Sequence, residues 1–441
     1  MVESLRLAGT RRVIIVPMDD STLAPLLTPE GWALLGSLPP YDDLDPLSAG
    51  EALREQGHSP ALVAAALTQQ RLRGRAETKF GPFASQMLFT PDGLEQATRL
   101  EVSAHHASRY TRAGLSRVAD LGCGIGGDSM ALAGLGLSVL AVEHDETTAA
   151  LATVNLMAFP EAEVRCADAM DIDLSAEGVD GVFADPARRS QGRRLTDPEQ
   201  WSPPLSRVLA LREQVAALGV KVAPGLAHDL LPADCHAQWV SVEGQVVEAG
   251  LWFGPLAHEG PGRSALALRR GADGSSRAHV LADPDCTDPS APPAQVEPVG
   301  GAEELGELVH EPDGAAIRAG LVAHLARALE AAPVGDRIAY LSGDRPPEPS
   351  LAPFVRSWRL REVLPLHLKA LRARVRETGL GSLEIHKRGV DLPPEALRAS
   401  LHLRGEGSET WLLTRLGPRD GSAAGARGAV LVVEPLVQAT G

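Results

Sequence analysis

One stretch limits what this chain can fold into more than any other. From Val118 to Asp128 it reads Val-Ala-Asp-Leu-Gly-Cys-Gly-Ile-Gly-Gly-Asp. A short apolar run is followed by Gly122-x-Gly124-x-x-Gly127 and then by the helix-forming Ser129-Met-Ala-Leu-Ala133. That order predicts a strand, a tight loop with bare backbone, and a helix opening on the loop. It belongs to an open α/β sheet, in which ligands sit beyond the carboxyl ends of the strands.

The flanking sequence agrees. Short apolar runs alternate with helical stretches between Arg117 and about Arg270, which predicts strands at 117–121, 138–142, 163–166, 180–184 and 219–223. Later apolar runs near 237–242, 248–253 and 264–269 leave no room for helices, so the sheet is expected to finish antiparallel. Upstream, Thr28-Pro29, Ser48-x-x-Glu51, Ser59-Pro60 and Thr90-Pro91 are helix-start signals. The run after Pro60 turns basic at Arg71, Arg73 and Arg75, which suits a helix C-terminus.

Residues 282–298, rich in Pro and Asp, read as a seam, and Ile317–Leu329 as a helix beyond it. At 441 residues the chain exceeds one ordinary core. The expected division is a helical region at 1–105, a sheet domain at 106–281, a linker at 282–300 and an α+β region at 301–436.

The glycine spacing fits a dinucleotide as well as a phosphate-free adenosyl ligand, so the choice rests on Asp120. A carboxylate about 4 Å from a pyrophosphate would be repelled by roughly 1 kcal/mol in water and about 4 at an effective dielectric of 20. Beside S-adenosylmethionine (SAM), which carries an ammonium, a sulfonium and no phosphate, the same charge is harmless or favourable. SAM is therefore the expected cofactor, held by Asp120, Gly122, Gly124, Gly126 and Gly127. Glu143, with His144 after it, ends the second strand and is placed for the ribose hydroxyls. Asp168 and Ala169, after the third strand, are placed for adenine.

The fourth strand ends in Asp185-Pro186-Ala187-Arg188-Arg189. An Asp-Pro turn there can accept hydrogen bonds from a substrate amine, which makes Asp185, Pro186 and Arg188 the candidate catalytic group. Arg189, with Arg193 and Arg194, can hold phosphate. Lys221, ending the fifth strand, is a candidate to line the same pocket.

A formal charge of −15 excludes indiscriminate nucleic-acid binding. Locally the balance reverses: residues 355–390 carry nine Lys and Arg against three Glu, a net of +6. Arg372, Arg374, Arg376, Lys387 and Arg388 are the candidate RNA contacts in that island. The apolar run Val13–Val16 is too short for a signal peptide, and no stretch of 18 apolar residues exists, so a cytoplasmic location without membrane partners is expected. Four widely spaced cysteines show no metal-ligand spacing, and no metal is expected.

On these residues the sequence resembles the class I SAM-dependent methyltransferases, and more closely a bacterial group with a THUMP-like C-terminal domain. Asp120–Asp128, Asp185–Arg189, Lys221–Gly225, Glu311–Gly320 and Leu383–Gly389 carry the resemblance, joined by Lys79-Phe80 and Leu94–Thr98. It implies a Rossmann-like, mostly parallel sheet with an antiparallel end, a helical N-terminal region, and a smaller α+β THUMP-like domain at about 360–436. It also implies RNA as substrate, since THUMP domains bind RNA. The methyltransferase portion is similar to trimethylguanosine synthases, except that Ala187 and Arg188 stand where those enzymes have a proline and an aromatic residue. Carbon methylation of pyrimidines needs a cysteine nucleophile, which the Asp185 turn lacks, so a base nitrogen, with the guanine exocyclic amine first, is the expected target. A small-molecule or protein methyltransferase, or a non-catalytic RNA-binding protein on the same fold, are the alternatives.

Overall fold

A computed structural model describes residues 23–41, 45–190, 193–416 and 427–436. The Val13–Val16 run lies outside the described residues, as do the side chains of Arg189, Arg193 and Arg194. The chain divides into two compact units, Met1–Val222 with Leu251–His258, and Ala223–Gly250 with Glu259–Gly441.

The first unit opens with five helices, α1 (Pro29–Ser37), α2 (Pro46–Glu55), α3 (Pro60–Phe80), α4 (Pro91–Gln96) and α5 (Leu100–Arg112). Thr28, Ser59 and Thr90 cap α1, α3 and α4 as their Ser/Thr-Pro pairs predict, accepting from the amides of Gly31, Leu62 and Gly93. Ser48 differs from expectation. It lies inside α2, whose cap is Asp45, because Pro46 is the residue already set for the first helical position. α3 runs on to Phe80, so Arg71, Arg73 and Arg75 lie before its last turn, where Lys79 is the basic residue, and Arg73 is buried and donates from Nε to the Met87 carbonyl.

Five strands follow: β1 (Arg117–Leu121), β2 (Ser138–Glu143), β3 (Ala162–Cys166), β4 (Gly181–Ala184) and, after the two-residue strands β5 (Arg189–Ser190) and β6 (Arg193–Arg194) and helix α8 (Leu205–Ala210), β7 (Ala217–Val222). Helix α6 (Gly127–Gly134) joins β1 to β2, and α7 (Glu146–Asn155) joins β2 to β3. The order β3-β2-β1-β4-β7 is parallel at every pair. Strands covered on both faces read as continuous apolar runs, and Val139–Val142 are all fully buried.

Strand β8 (His236–Val242) of the second unit turns through Glu243 and Gly244, both at positive φ, into β9 (Gln245–Trp252), whose Leu251 and Trp252 belong to the first unit; the turn has the two-residue geometry of a hairpin. Strands β10 (Gly262–Arg270) and β11 (Ser276–Ala282) form an antiparallel pair, while β8 and β10 are parallel neighbours. β9 lies beside β8 on the side away from β10, so the chain passes from β8 to its parallel neighbour through a strand of the same sheet and no α-helix.

A seven-stranded sheet completes the unit, from β12 (Leu308–Pro312), β13 (Ala332–Pro333), β14 (Leu341–Gly343), β15 (Val355–Pro365), β16 (Leu380–Lys387), β17 (Gly407–Leu416) and β18 (Arg427–Pro435), ordered β13-β14-β12-β15-β18-β17-β16. The expected helix at 317–329 is two, α9 (Gly314–Arg318) and α10 (Val322–Ala328), because Gly320 takes φ +73° between them. Helices α11 (Leu368–Thr378) and α12 (Pro394–Leu401) bury Leu371, Val375, Leu397 and Leu401 against Trp411, Leu413, Val430 and Val432. The alternate residues Leu412, Leu431 and Val433 join Trp358 and Tyr340 in a separate cluster, as the two-residue period of a strand requires. Among the described residues no helix is long and apolar enough to cross a membrane.

Candidate functional site

The register of the parallel strands sets out the site. Leu121 pairs with Val142 on one side and Ala184 on the other, so Gly122, Glu143 and Asp185 form the next row, one residue beyond three adjacent strands. Glu143 is level with Cys166 and Ala184 with Val220, which brings Asp168 toward the same edge and sets Lys221 beside Asp185. Strand order reverses between β1 and β4, the place where such sheets bind ligands.

The loop from β1 to α6 needs its glycines. Gly122, Gly124 and Gly126 take φ of +83°, +56° and +89°. An added Cβ on Gly122 would lie 2.9 Å from the Asp185 carbonyl oxygen, so the loop and the Asp-Pro turn approach too closely for any side chain there. Gly127 begins α6, and a Cβ on it would touch the Phe80 ring at 3.4 Å.

Glu143, nearly buried, holds this loop from the second strand. Its Oε2 accepts from the Gly124 amide at 3.1 Å and its Oε1 from the Asp145 amide at 3.0 Å. His144 is exposed, with Nδ1 2.9 Å from Glu143 Oε1. Asp168 is exposed and caps a short turn through Met170 N at 2.8 Å, with Ala169 the first residue of that turn. Every carboxylate oxygen has a second lone-pair site, so neither acid is exhausted by these bonds.

Two carboxylates lie beneath the loop. Asp120 is 1% exposed, its Oδ2 accepts from Ser129 Oγ at 2.5 Å, and its Oδ1 is buried without a hydrogen-bond partner. Burial, followed by the Asp128 charge, raises its pKa to about 8 against the opposing Ser129 hydrogen bond. Asp128 moves the other way: burial would raise it, but the hydrogen bond and charge of His106, then Lys221 and Thr98, hold it at about 2. Two buried acids this close divide into one protonated and one ionised. An unpartnered buried oxygen on Asp120 beneath a glycine loop suits a ligand that brings an ammonium and no phosphate, as SAM does.

Lys221 is buried, and its ammonium donates to Asp185 Oδ2 at 2.7 Å and to Thr98 Oγ1 at 2.8 Å. Thr98 Oγ1 donates in turn to Asp128 Oδ2 at 2.8 Å, and His106 Nδ1 lies 2.9 Å from Asp128 Oδ1. Pro186 is buried, Arg188 partly exposed, and Ala187 bridges to the backbone of Ser202. Lys79 puts its ammonium on the carbonyls of Leu94, Glu95 and Ala97. Burial, then the Arg99 and Lys221 charges, pulls its pKa down to about 8.

His106 and Ser129 were not legible as site residues. Ser129 directly follows the motif and could have been suspected, whereas His106 stands 22 residues before Asp128 with nothing local to mark it.

The basic residues near the C-terminus are less free than their count along the chain implies. Arg374 lies between Glu362 and Glu409, both at 2.9 Å, and Arg388 pairs with Glu311 at 3.0 Å. Arg372 Nε donates to the Ser400 carbonyl at 2.9 Å. Arg356, Arg359 and Arg361 meet Glu384, Glu307 and Glu434. Four of these acids, at 307, 311, 409 and 434, come from outside residues 355–390, so much of the +6 is neutralised in space. Arg376, Lys387 and Lys369 remain exposed.

Comparison with known proteins agrees with this architecture. A family model described as THUMP domain-like matches residues 355–427, and one for a domain of unknown function (DUF8688) matches residues 19–76. A crystal structure from Porphyromonas gingivalis W83, assigned as a methyltransferase, covers 95% of this chain and 99% of its own, with a TM-score of 0.69 at 19% identity. That likeness is one of fold. An S-adenosylmethionine-dependent methyltransferase of Mycobacterium tuberculosis, found in strains H37Rv and CDC 1551 and itself uncharacterized, is 34% identical over 356 residues, 78% of this chain and 91% of the relative. At that identity over that length, with a glycine loop and strand-end acids suited to SAM, the chain belongs to the S-adenosylmethionine-dependent methyltransferases.

Proposed function

We propose that this enzyme transfers the methyl group of SAM to a nitrogen of an RNA base, with the guanine exocyclic amine as the first candidate. The observation that carries nitrogen chemistry is the Asp185 turn, which ends the strand at the switch point with one carboxylate oxygen on the Lys221 ammonium. Bound SAM supplies an electrophilic methyl group on its sulfonium. In this reading Asp120, Gly122, Gly124, Gly126 and Gly127 receive its amino-acid end, Glu143 and His144 its ribose, and Asp168 and Ala169 its adenine.

Asp185 and the carbonyls of the turn accept hydrogen bonds from the target amine and aim its lone pair. An aromatic amine needs no strong base before attack, and placement against the sulfonium supplies much of the acceleration. Arg188 and Arg189 lie next along the chain, where a substrate phosphate is the natural partner.

RNA as the substrate is supported by the THUMP domain-like match and by the exposed Arg376 and Lys387 within it. Arg372, Arg374 and Arg388 contribute there through the shape of the surface they brace. The test is two-sided. Modified-nucleoside mass spectrometry of RNA from a strain lacking this chain, beside its parent, should show one methylated nucleoside missing. Asp185→Ala should lose turnover on that RNA and keep its affinity for S-adenosylhomocysteine. A variant that methylates at the parent rate would refute the assignment of the turn.

A further inference from the structure

Two motifs, Lys79-Phe80 and Leu94–Thr98, are not accounted for by the cofactor loop, yet the fold brings both to it. Thr98 is buried at 7% exposure between α4 and α5, 123 residues from Lys221 in sequence. A hydroxyl has one proton to give. Lys221 can only donate, so Thr98 accepts from its ammonium and spends its own proton on Asp128, which His106 holds from the other side. The bonds therefore run in one direction, from Lys221 to Thr98 to Asp128. Immediately before Thr98, Lys79 fixes the backbone through three carbonyls, at 2.8 Å for Leu94 and Glu95 and 2.7 Å for Ala97.

A lysine has a flexible four-carbon stem and three rotatable donors, so a single ion pair does not set where its ammonium lies. With a side chain only 6% exposed, Lys221 needs protein acceptors in place of bulk water. Thr98 supplies one of them, a buried hydroxyl whose own proton is committed elsewhere. We infer that Thr98, seated by Lys79 and Asp128, is a positioning residue for methyl transfer: it fixes Lys221, and Lys221 fixes the Asp185 carboxylate against the substrate. The helical region before β1 is thereby part of the active site. This rests on the reading of Asp185 as the group that faces substrate.

The test compares Thr98→Val, which keeps the shape and removes the hydroxyl, with Thr98→Ser, which keeps the hydroxyl. The assay is methyl transfer from radiolabelled SAM to RNA from a strain lacking the chain. Thr98→Val should lower kcat about tenfold with KM unchanged, and Thr98→Ser should stay within about twofold of the parent. In a Lys221→Met background, Thr98→Val should cost less than about a further twofold, because the two act as one unit. If Thr98→Val does not fold, Lys79→Met, which loosens the Ala97 carbonyl and leaves the hydroxyl, should produce the same kcat loss. Parent-like rates for Thr98→Val, equal losses for Val and Ser, or full additivity with Lys221→Met would overturn the inference. Asp185→Ala separates the two levels: if it is active, the reading of the turn fails, and if it is inactive while Thr98→Val is unimpaired, only the role of Thr98 fails. Should the parent not methylate RNA, crystal structures with S-adenosylhomocysteine decide. A Lys221–Asp185 contact broken in Thr98→Val and kept in Thr98→Ser supports the inference, and a contact unchanged in both removes it.

Discussion

Binding of the cofactor product should release a proton from Asp120. This carboxyl is 1% exposed, has one oxygen without a partner, and has a pKa raised to about 8 by burial and by the Asp128 charge. At pH 7 such a group is about nine-tenths protonated. On the proposed placement, S-adenosylhomocysteine brings the ammonium of its zwitterionic amino-acid end to the loop beneath which Asp120 lies. At about 4 Å and an effective dielectric of 20 that charge is worth roughly 4 kcal/mol, or about three pKa units. That is enough to ionise the carboxyl at pH 7, so most of a proton should leave for each ligand bound. Calorimetry in phosphate, HEPES and Tris measures this directly, since the observed enthalpy changes with buffer ionisation enthalpy in proportion to the protons exchanged. Adenosine, which lacks the ammonium, should give a slope near zero, and Asp120→Asn should abolish the slope for S-adenosylhomocysteine. Tight binding by the parent with no buffer dependence, or the same slope in Asp120→Asn, would refute the reasoning.

Other consequences follow from the same residues. Because the folded pKa of Asp120 lies above its unfolded value, the folded state holds a proton that the unfolded state gives up, so the ligand-free protein should lose stability as pH rises from about 4 to 8; urea titrations should show this, and Asp120→Asn should flatten it. Glu143→Ala should weaken S-adenosylhomocysteine binding by about 1.5–3 kcal/mol, the worth of hydrogen bonds to a charged group, as read by calorimetry. Gly122→Ala forces a side chain into positive φ and against the Asp185 carbonyl, and should cost about 1–3 kcal/mol in a urea midpoint series while lowering turnover. Arg374→Gln and Arg388→Gln should each cost up to about 1 kcal/mol of stability by breaking pairs with Glu409 and Glu311. Changing Lys369, Arg376 and Lys387 together to Gln should leave stability alone and reduce the salt dependence of RNA binding by about 0.7 per lost contact to single-stranded RNA.

The cofactor loop was readable in the sequence because everything that makes it is local. A strand, three glycines at positive φ and a helix start are set by residues within a dozen positions, and Glu143 and Asp185 stand where their own strands end. The caps at Thr28, Ser59 and Thr90 were readable for the same reason, since a cap bonds an amide only two or three residues away. Gly320 broke a helix that apolar periodicity alone would have continued, and β8 pairs parallel with β10 where an antiparallel finish was expected, because strand pairing depends on partners distant in sequence.

Charge was the least legible property. The basic island could be counted along the chain, but Glu307, Glu311, Glu409 and Glu434 reach it only in the folded sheet, so its net field was decided by tertiary structure. The same holds for the polar chain through Thr98, Lys221 and Asp128. Lys221, Asp128 and Thr98 each stand in a motif visible along the chain, but the link between them comes from hydrogen bonds that span up to 123 residues. Sequence by itself determined the backbone path of the site, because steric limits on φ and ψ act between neighbours. Tertiary structure decided which charges meet, because Coulomb and hydrogen-bond energies depend on distances in space that no local pattern encodes.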